Sequence, residues 1–169
     1  MTPEPTTQAA RKKRRSTTAT TEITATAEQM LEALGPVSTI VDEKWPLGFQ
    51  GGYWVGKLLQ KLQAEQKAIE SGRQSLLREF AKVDEDGHVV TKENGSADFE
   101  PGRFARYQAK LKDEMAKPRT IEGARPIYTS DFSPEVREKL KKEQISGAML
   151  GLLAGTPFLV EDEPLFTEE

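Results

Sequence analysis

Cysteine is absent from the 169 residues and histidine occurs once, as His88. Without thiols there is no disulfide staple, thiolate metal site or cysteine nucleophile, which suits a reducing compartment or a particle assembled in one. A single imidazole leaves one candidate for any histidine base and none for a multi-histidine metal site. Aromatics make up 7% of the chain, and mean hydropathy is -0.61. Together these favour long solvated helices over a large compact enzyme. Long apolar runs are also missing. The uncharged run GAMLGLLAGTPFLV falls short of the ~20 residues that span a bilayer, so no membrane span is expected.

Acid and base are both present but unevenly placed. The formal net charge is -3, yet residues 1–26 hold Arg11, Lys12, Lys13, Arg14 and Arg15 against Glu4 and Glu22, so a basic arm precedes an acidic body. Residues 16–26, STTATTEITAT, offer Ile23 as their one large apolar side chain, too little to offset the entropy of ordering; the arm 1–26 reads as disordered when the chain is alone. The cluster at positions 11–15 is a candidate phosphate contact or an acidic-partner contact. No aromatic is interleaved to stack on bases. Residues 161–169 form an acidic tail.

Mainly α structure is expected. Residues 27–34 predict a short helix stopped by Gly35 and Pro36, 37–41 a β-branched extended segment, and 42–52 a glycine-rich loop anchored by Trp45. The strongest periodicity comes next. Val55, Leu58, Leu62, Glu65, Ile69, Gly72 and Leu76 are spaced by three and four, predicting a helix over 53–80. Asp86-Gly87 and Asn94-Gly95 predict a small β-hairpin tip with strands near 88–91 and 97–99. A second helix over 101–117, with Phe104, Tyr107, Leu111 and Met115 on one face, completes a long antiparallel helical hairpin over 53–117. Residues 118–160 read as an extended segment with a strand at 126–128, then short C-terminal helices. Ser133-Pro134-Glu135 opens one of them, with Val136 and Leu140 inward and Glu135-Lys139 and Glu138-Lys142 as outward pairs.

Several patterns bear on chemistry. Residues 51–57 match G-x-x-x-x-G-K, but Leu58 stands where magnesium binding needs a hydroxyl, and Trp54 and Val55 belong to the helix stripe. Asp84, Glu85 and Asp86 fail the calcium-loop register because Val89 occupies the glycine position. His88 reads as a turn residue, and no nucleophile, histidine and acid are spaced as a triad. Neither a cofactor, a metal nor a catalytic residue is expected. Two partner-binding candidates remain. Gly147, Gly151 and Gly155, four apart, could let helices approach closely. Trp45, Phe49, Tyr53 and Trp54 concentrate a third of the rings into ten residues, as a small core or as a binding hot spot.

The order of a long helix (WVGKLLQKLQAEQKAIESGRQSLLREFAKVD), a DEDG turn, an NG-containing tip, a helix beginning FEPGRFARYQAKLKDEM and an extended stretch before SPEVREKL resembles small helical-hairpin proteins of tailed bacteriophages encoded among the virion structural genes. The resemblance covers roughly residues 53–142 and carries no catalytic residues. It implies a non-enzymatic virion structural or assembly accessory acting through contacts with other phage structural proteins or with itself. The corresponding location is the virion or the cytoplasm of the infected host. The alternatives are a host-directed binder of a bacterial enzyme or defence protein, and a nucleic-acid-binding accessory working through the basic arm.

Overall fold

A computed structural model describes residues 22–141 and 148–162. The basic cluster Arg11, Lys12, Lys13, Arg14 and Arg15, together with Gly147, lies outside them. The described chain is mainly helical.

Its first element corrects the expected extent of the arm. Residues Glu22–Thr26 form strand β1, whose Ile23 and Ala25 are buried while Glu22 and Thr24 face water. It pairs antiparallel with β2, Pro118–Glu122, in the register Ile23 to Ile121 and Thr24 to Thr120, and the two threonine hydroxyls meet at 3.1 Å. A lone isoleucine is too little for an isolated segment, but a distant partner strand supplies the backbone hydrogen bonds and the apolar cover.

Helix α1 spans Ala27–Asp42 and starts from a capping box in which Thr26 and Gln29 exchange side-chain to backbone hydrogen bonds. Gly35 and Pro36 do not stop it. Proline removes one ladder bond, yet Met30, Ala33, Val37 and Ile40 lie on one buried stripe, and Thr39 Oγ1 donates to the Gly35 carbonyl at 3.1 Å. Burial of that stripe outweighs the local breaker, so the segment 37–41, expected to be extended, is helical. The stop comes later. Lys44 adopts φ 50, its amide donates to Val41 O, and the Trp45 amide donates to Ile40 O, the pattern of a Schellman cap.

Helix α2, Phe49–Phe80, begins four residues before the expected start and takes Gly51 and Gly52 into its first turns. The predicted periodicity is present: Val55, Leu58, Leu62, Ile69 and Leu76 are its large buried side chains. Glu65, on the same stripe, is half-buried and pairs with Arg119 of β2 at 3.6 Å. That accounts for a carboxylate at a seam position. Gly72 is exposed, and a methyl added there would meet no atom within 4 Å. Gly72→Ala should therefore stabilise the fold by about 1 kcal/mol through helix propensity, read as a rise in thermal midpoint.

Beyond α2, Lys82, Val90 and Asp98 close a ring of backbone hydrogen bonds: the Lys82 amide donates to Asp98, Val90 to Lys82 and Asp98 to Val90. Antiparallel bridges join Ala81 to Phe99, Val83 to Val89 and Thr91 to Ala97, and Gly87 and Gly95 take φ near +79 and +78 in the two turns. The small antiparallel β tip is thus present, with a third limb, residues 81–83, that the turn dipeptides do not signal. Helix α3, Arg103–Ala116, starts after a left-handed Gly102, so Pro101 precedes the helix instead of lying in its first turn.

At one end the Arg103 guanidinium donates to the Glu79 carbonyl, and Phe80 meets Tyr107. Fourteen residues reach about 21 Å, less than half of the 32-residue α2. None of the α3 residues is fully buried. The pairing on which most of the core depends is α1 with the first half of α2, where Met30, Val37, Ile40, Val55, Leu58 and Leu62 belong to one cluster.

Pro118 opens β2 as well as ending the helical run. Strand β3, Ile127–Tyr128, pairs in parallel with β4, Leu159–Val160, and a single 3-10 turn, Thr129–Asp131, comes directly after β3. Helix α4, Pro134–Lys141, starts at Ser133, whose Oγ accepts from the Val136 amide at 3.4 Å. Val136 is buried and Glu135 pairs with Lys139 at 2.7 Å, as the spacing predicts; the Leu140 side chain and Lys142 fall outside the described residues. Helix α5, Ala148–Leu153, buries Leu150 and Leu153. Of the glycines spaced by four, Gly151 and Gly155 fall within the described residues. Gly151 is exposed with nothing near it, and Gly155 has φ +73 beyond the helix end, a role of chain reversal.

Candidate interaction surface

The four clustered aromatics separate into two roles. Trp45 is buried, its ring centroid 5.9 Å from that of Phe132, and its Nε1 donates to Glu43 Oε2 at 2.9 Å. It is core. Phe49, in contrast, is 95% exposed and Tyr53 56% exposed, one helical turn apart on the same face of α2. Trp54 is half-buried beside them, with its ring edge-on to Tyr53 at 5.3 Å. Lys57, a further turn along, lies 5.6 Å and 5.5 Å from the two ring centroids. A cation held over two rings is attracted by their quadrupoles and keeps its charge in water.

The platform beneath this face is built from distant sequence. Arg125 is 7% exposed at its side chain and makes a two-pronged pair with Asp131, at 2.7 and 2.8 Å. Its guanidinium lies 5.7 Å from the Trp54 centroid and 4.9 Å from that of Tyr128. Asp131 also accepts from the Tyr128 amide at 2.9 Å, and the Gly48 amide donates to the Asp131 carbonyl at 3.3 Å. Close approach requires Gly51, where a methyl would come within 3.0 Å of Asp131 Cβ. Asp131 thus puts a carboxylate at the positive end of α2, which has no acid in its own first turn. Among the described residues no buried side-chain nitrogen or oxygen lacks a hydrogen-bond partner, and the two exposed rings project from this base.

Asp162 secures the neighbouring turn. Its carboxylate accepts from Thr129 Oγ1 at 3.0 Å, from the Ser130 amide at 2.9 Å and from Ser130 Oγ at 2.5 Å. Burial works to raise its pKa, but the hydroxyl and amide of Ser130 and the Thr129 hydroxyl more than offset this and hold it below the ordinary carboxylate value of 3.8. A depressed pKa in the folded state stabilises above the ordinary value and loses that contribution as pH falls through the lowered one. Wild type should therefore lose stability on acidification below pH 3.8 more steeply than Asp162→Asn, as read by urea midpoints at successive pH values.

Other sequence patterns resolve into structure. The G-x-x-x-x-G-K residues form the first turns of α2, with Lys57 engaged by Tyr53 and Trp54. Asp84, Asp86 and His88 bring possible ligand atoms within 4.8 Å, all exposed. Asp84 Oδ1 accepts from the Asp86 and His88 amides at 3.0 and 2.8 Å, the hydrogen bonding of a carboxylate-capped turn. A groove of about 300 Å³ between α2 and α3 has an apolar floor that includes Ile69, Leu76, Leu111 and Met115, with charges of both signs on its rim. Among the described residues no helix is long and apolar enough to cross a membrane.

Neither a protein-family model, a curated protein nor a solved structure matches the chain. Its own geometry is therefore the basis for the function. Sequence reading misses Arg125, Tyr128 and Asp131, since an Arg-Pro dipeptide about 70 residues from Trp54 carries no local signal of contact with it. Lys57 is legible as a helix residue but not as the cation over the rings.

Proposed function

We propose that the protein is a non-enzymatic binding protein, a virion structural or assembly accessory that holds neighbouring virion proteins through the aromatic face at the start of α2. The observation that carries this reading is the exposure of Phe49 and Tyr53 on a base fixed by Arg125 and Asp131. Rings that stay in water in the free chain but need no reordering are suited to act as anchors, because little conformational entropy is lost when a partner covers them. The virion setting rests on the resemblance of the helix and turn order to small phage proteins. In that setting the protein belongs to the particle or to the cytoplasm of the infected host. Asp131 and Asp162 have structural partners, and the proposal assigns them no catalytic role.

The test is a pull-down from infected cells compared with the proteins of purified particles. Tagged wild type is expected to retain one or more virion proteins, and Phe49→Ser/Tyr53→Ser to lose them. Absence of the protein from particles that contain the flanking structural gene products would remove the virion role. Recovery of a host enzyme through the same two rings would instead assign a host-directed binder.

A further inference from the structure

A second aromatic surface lies at the far end of α2. Phe104 is 50% exposed and its ring meets that of Phe99 at 5.2 Å, while Phe99 lies 5.5 Å from Tyr107. With Leu77 and Pro101 these three rings line a groove of about 570 Å³. Helix α2, 32 residues long, spans about 48 Å. The Phe49 face and the Phe104 groove therefore sit at opposite ends of it, too far apart to cover each other.

The two ends differ in charge. Phe49, Tyr53, Lys57 and Lys61 follow one another at steps of four, which makes them one row along α2. No acid occurs between Lys44 and Lys61, and Glu43 and Asp131 are already engaged, by Trp45 Nε1 and by Arg125. The tip, residues 81–100, holds six acids against Lys82 and Lys92. Both lysines lie against Asp98, at 2.7 and 3.9 Å, whereas Glu85, Asp86, Glu93 and Glu100 are exposed. Glu100 also lines the groove beside Phe99 and Phe104.

Pairing two copies face to face, or tip to tip, brings charges of one sign together and costs affinity. Pairing unlike ends does the reverse. We infer that a second copy of this chain is an occupant of the Phe49 and Tyr53 face and docks there with its acidic tip: Phe104 meets the exposed rings, and Glu93 and Glu100 lie near Lys57 and Lys61. A contact of this kind uses different surfaces on the two copies, so it repeats head to tail into a ring or an open filament. The inference rests on the partner-binding role proposed above and names one neighbour that the face takes.

Sedimentation velocity on the purified full chain tests it. The average mass is expected to rise with concentration beyond that of a dimer. It should fall again as salt rises above about 0.15 M, where exposed charges are screened. Phe104→Ser, or the pair Phe49→Ser/Tyr53→Ser, is expected to weaken association at least about 30-fold in samples with matched urea midpoints. Mixed together, these two variants are expected to form a heterodimer that grows no further, because each keeps the surface that the other has lost. Glu93→Lys/Glu100→Lys, which alters exposed side chains alone, should also weaken association. A wild type that stays monomeric to about 1 mM, a dimer indifferent to Phe104→Ser, or a mixture without heterodimer would overturn the inference. Association lost in Phe104→Ser but kept in Phe49→Ser/Tyr53→Ser would overturn it as well. The chain is measured without any other protein, so the pull-down can still succeed if the wild type is monomeric, and self-association can stand if no other virion protein is retained.

Discussion

Phe132→Ala is expected to lower the unfolding free energy by about 3–5 kcal/mol, while Phe49→Ala changes it by no more than about 0.5 kcal/mol. Phe132 is 1% exposed, packs on Trp45 and joins Leu47 through a β-bridge, so truncation leaves a cavity lined by rigid elements. Phe49 is 95% exposed and leaves none. Urea unfolding of the two variants, followed by far-ultraviolet circular dichroism, separates the outcomes if the slopes stay equal and only the midpoints move. A Phe49→Ala midpoint as low as that of Phe132→Ala would mean that this ring belongs to the core and would remove it from the binding face.

The second large effect concerns the ion pair under that face. Asp131→Ala leaves the Arg125 guanidinium enclosed between Trp54 and Tyr128 without its carboxylate, at an expected cost of about 3–5 kcal/mol. The loss should be visible as a lower thermal midpoint. Replacing both partners with apolar residues of similar volume, Arg125→Met/Asp131→Leu, should recover much of it, because the pair's attraction is largely offset by its desolvation. The double variant would still lose the hydrogen bond to the Tyr128 amide, so recovery is partial. If Asp131→Ala were as stable as wild type, water would have access to the arginine and the platform would be less rigid than its geometry implies.

These contrasts show where sequence periodicity is informative. The α2 stripe is legible because buried side chains recur with the helical repeat and no strong breaker interrupts them. In α1 the same physics is present, but Gly35 and Pro36 read locally as a stop. The buried faces of Val37 and Ile40 outweigh them only once α2 is packed alongside. Strand β1 is hidden for a different reason. Its low hydrophobicity is sufficient only with β2 as partner, and Thr24 meets Thr120 across a sequence separation of 96.

The aromatic cluster illustrates the limit for the site. Proximity in sequence places Trp45 and Phe49 together, yet Phe132 draws the first into the core and nothing covers the second among the described residues. The turn dipeptides locate the β tip, while the cyclic hydrogen bonding of Lys82, Val90 and Asp98 depends on a third limb with no turn signal of its own. At the C-terminal helix Gly155 serves a left-handed turn, which its spacing from Gly151 does not signal. Spacing alone does not distinguish a helix ridge from a helix end.

The most direct measurement of the central claim is the affinity of wild type and of Phe49→Ser/Tyr53→Ser for a virion protein recovered in the pull-down, determined by isothermal titration calorimetry on samples with matched urea midpoints. Loss of two anchoring rings should weaken binding by at least about 2–4 kcal/mol, or roughly 30- to 1,000-fold. Equal affinity for the two proteins, with the fold intact in both, would contradict the assignment of this face as the binding surface.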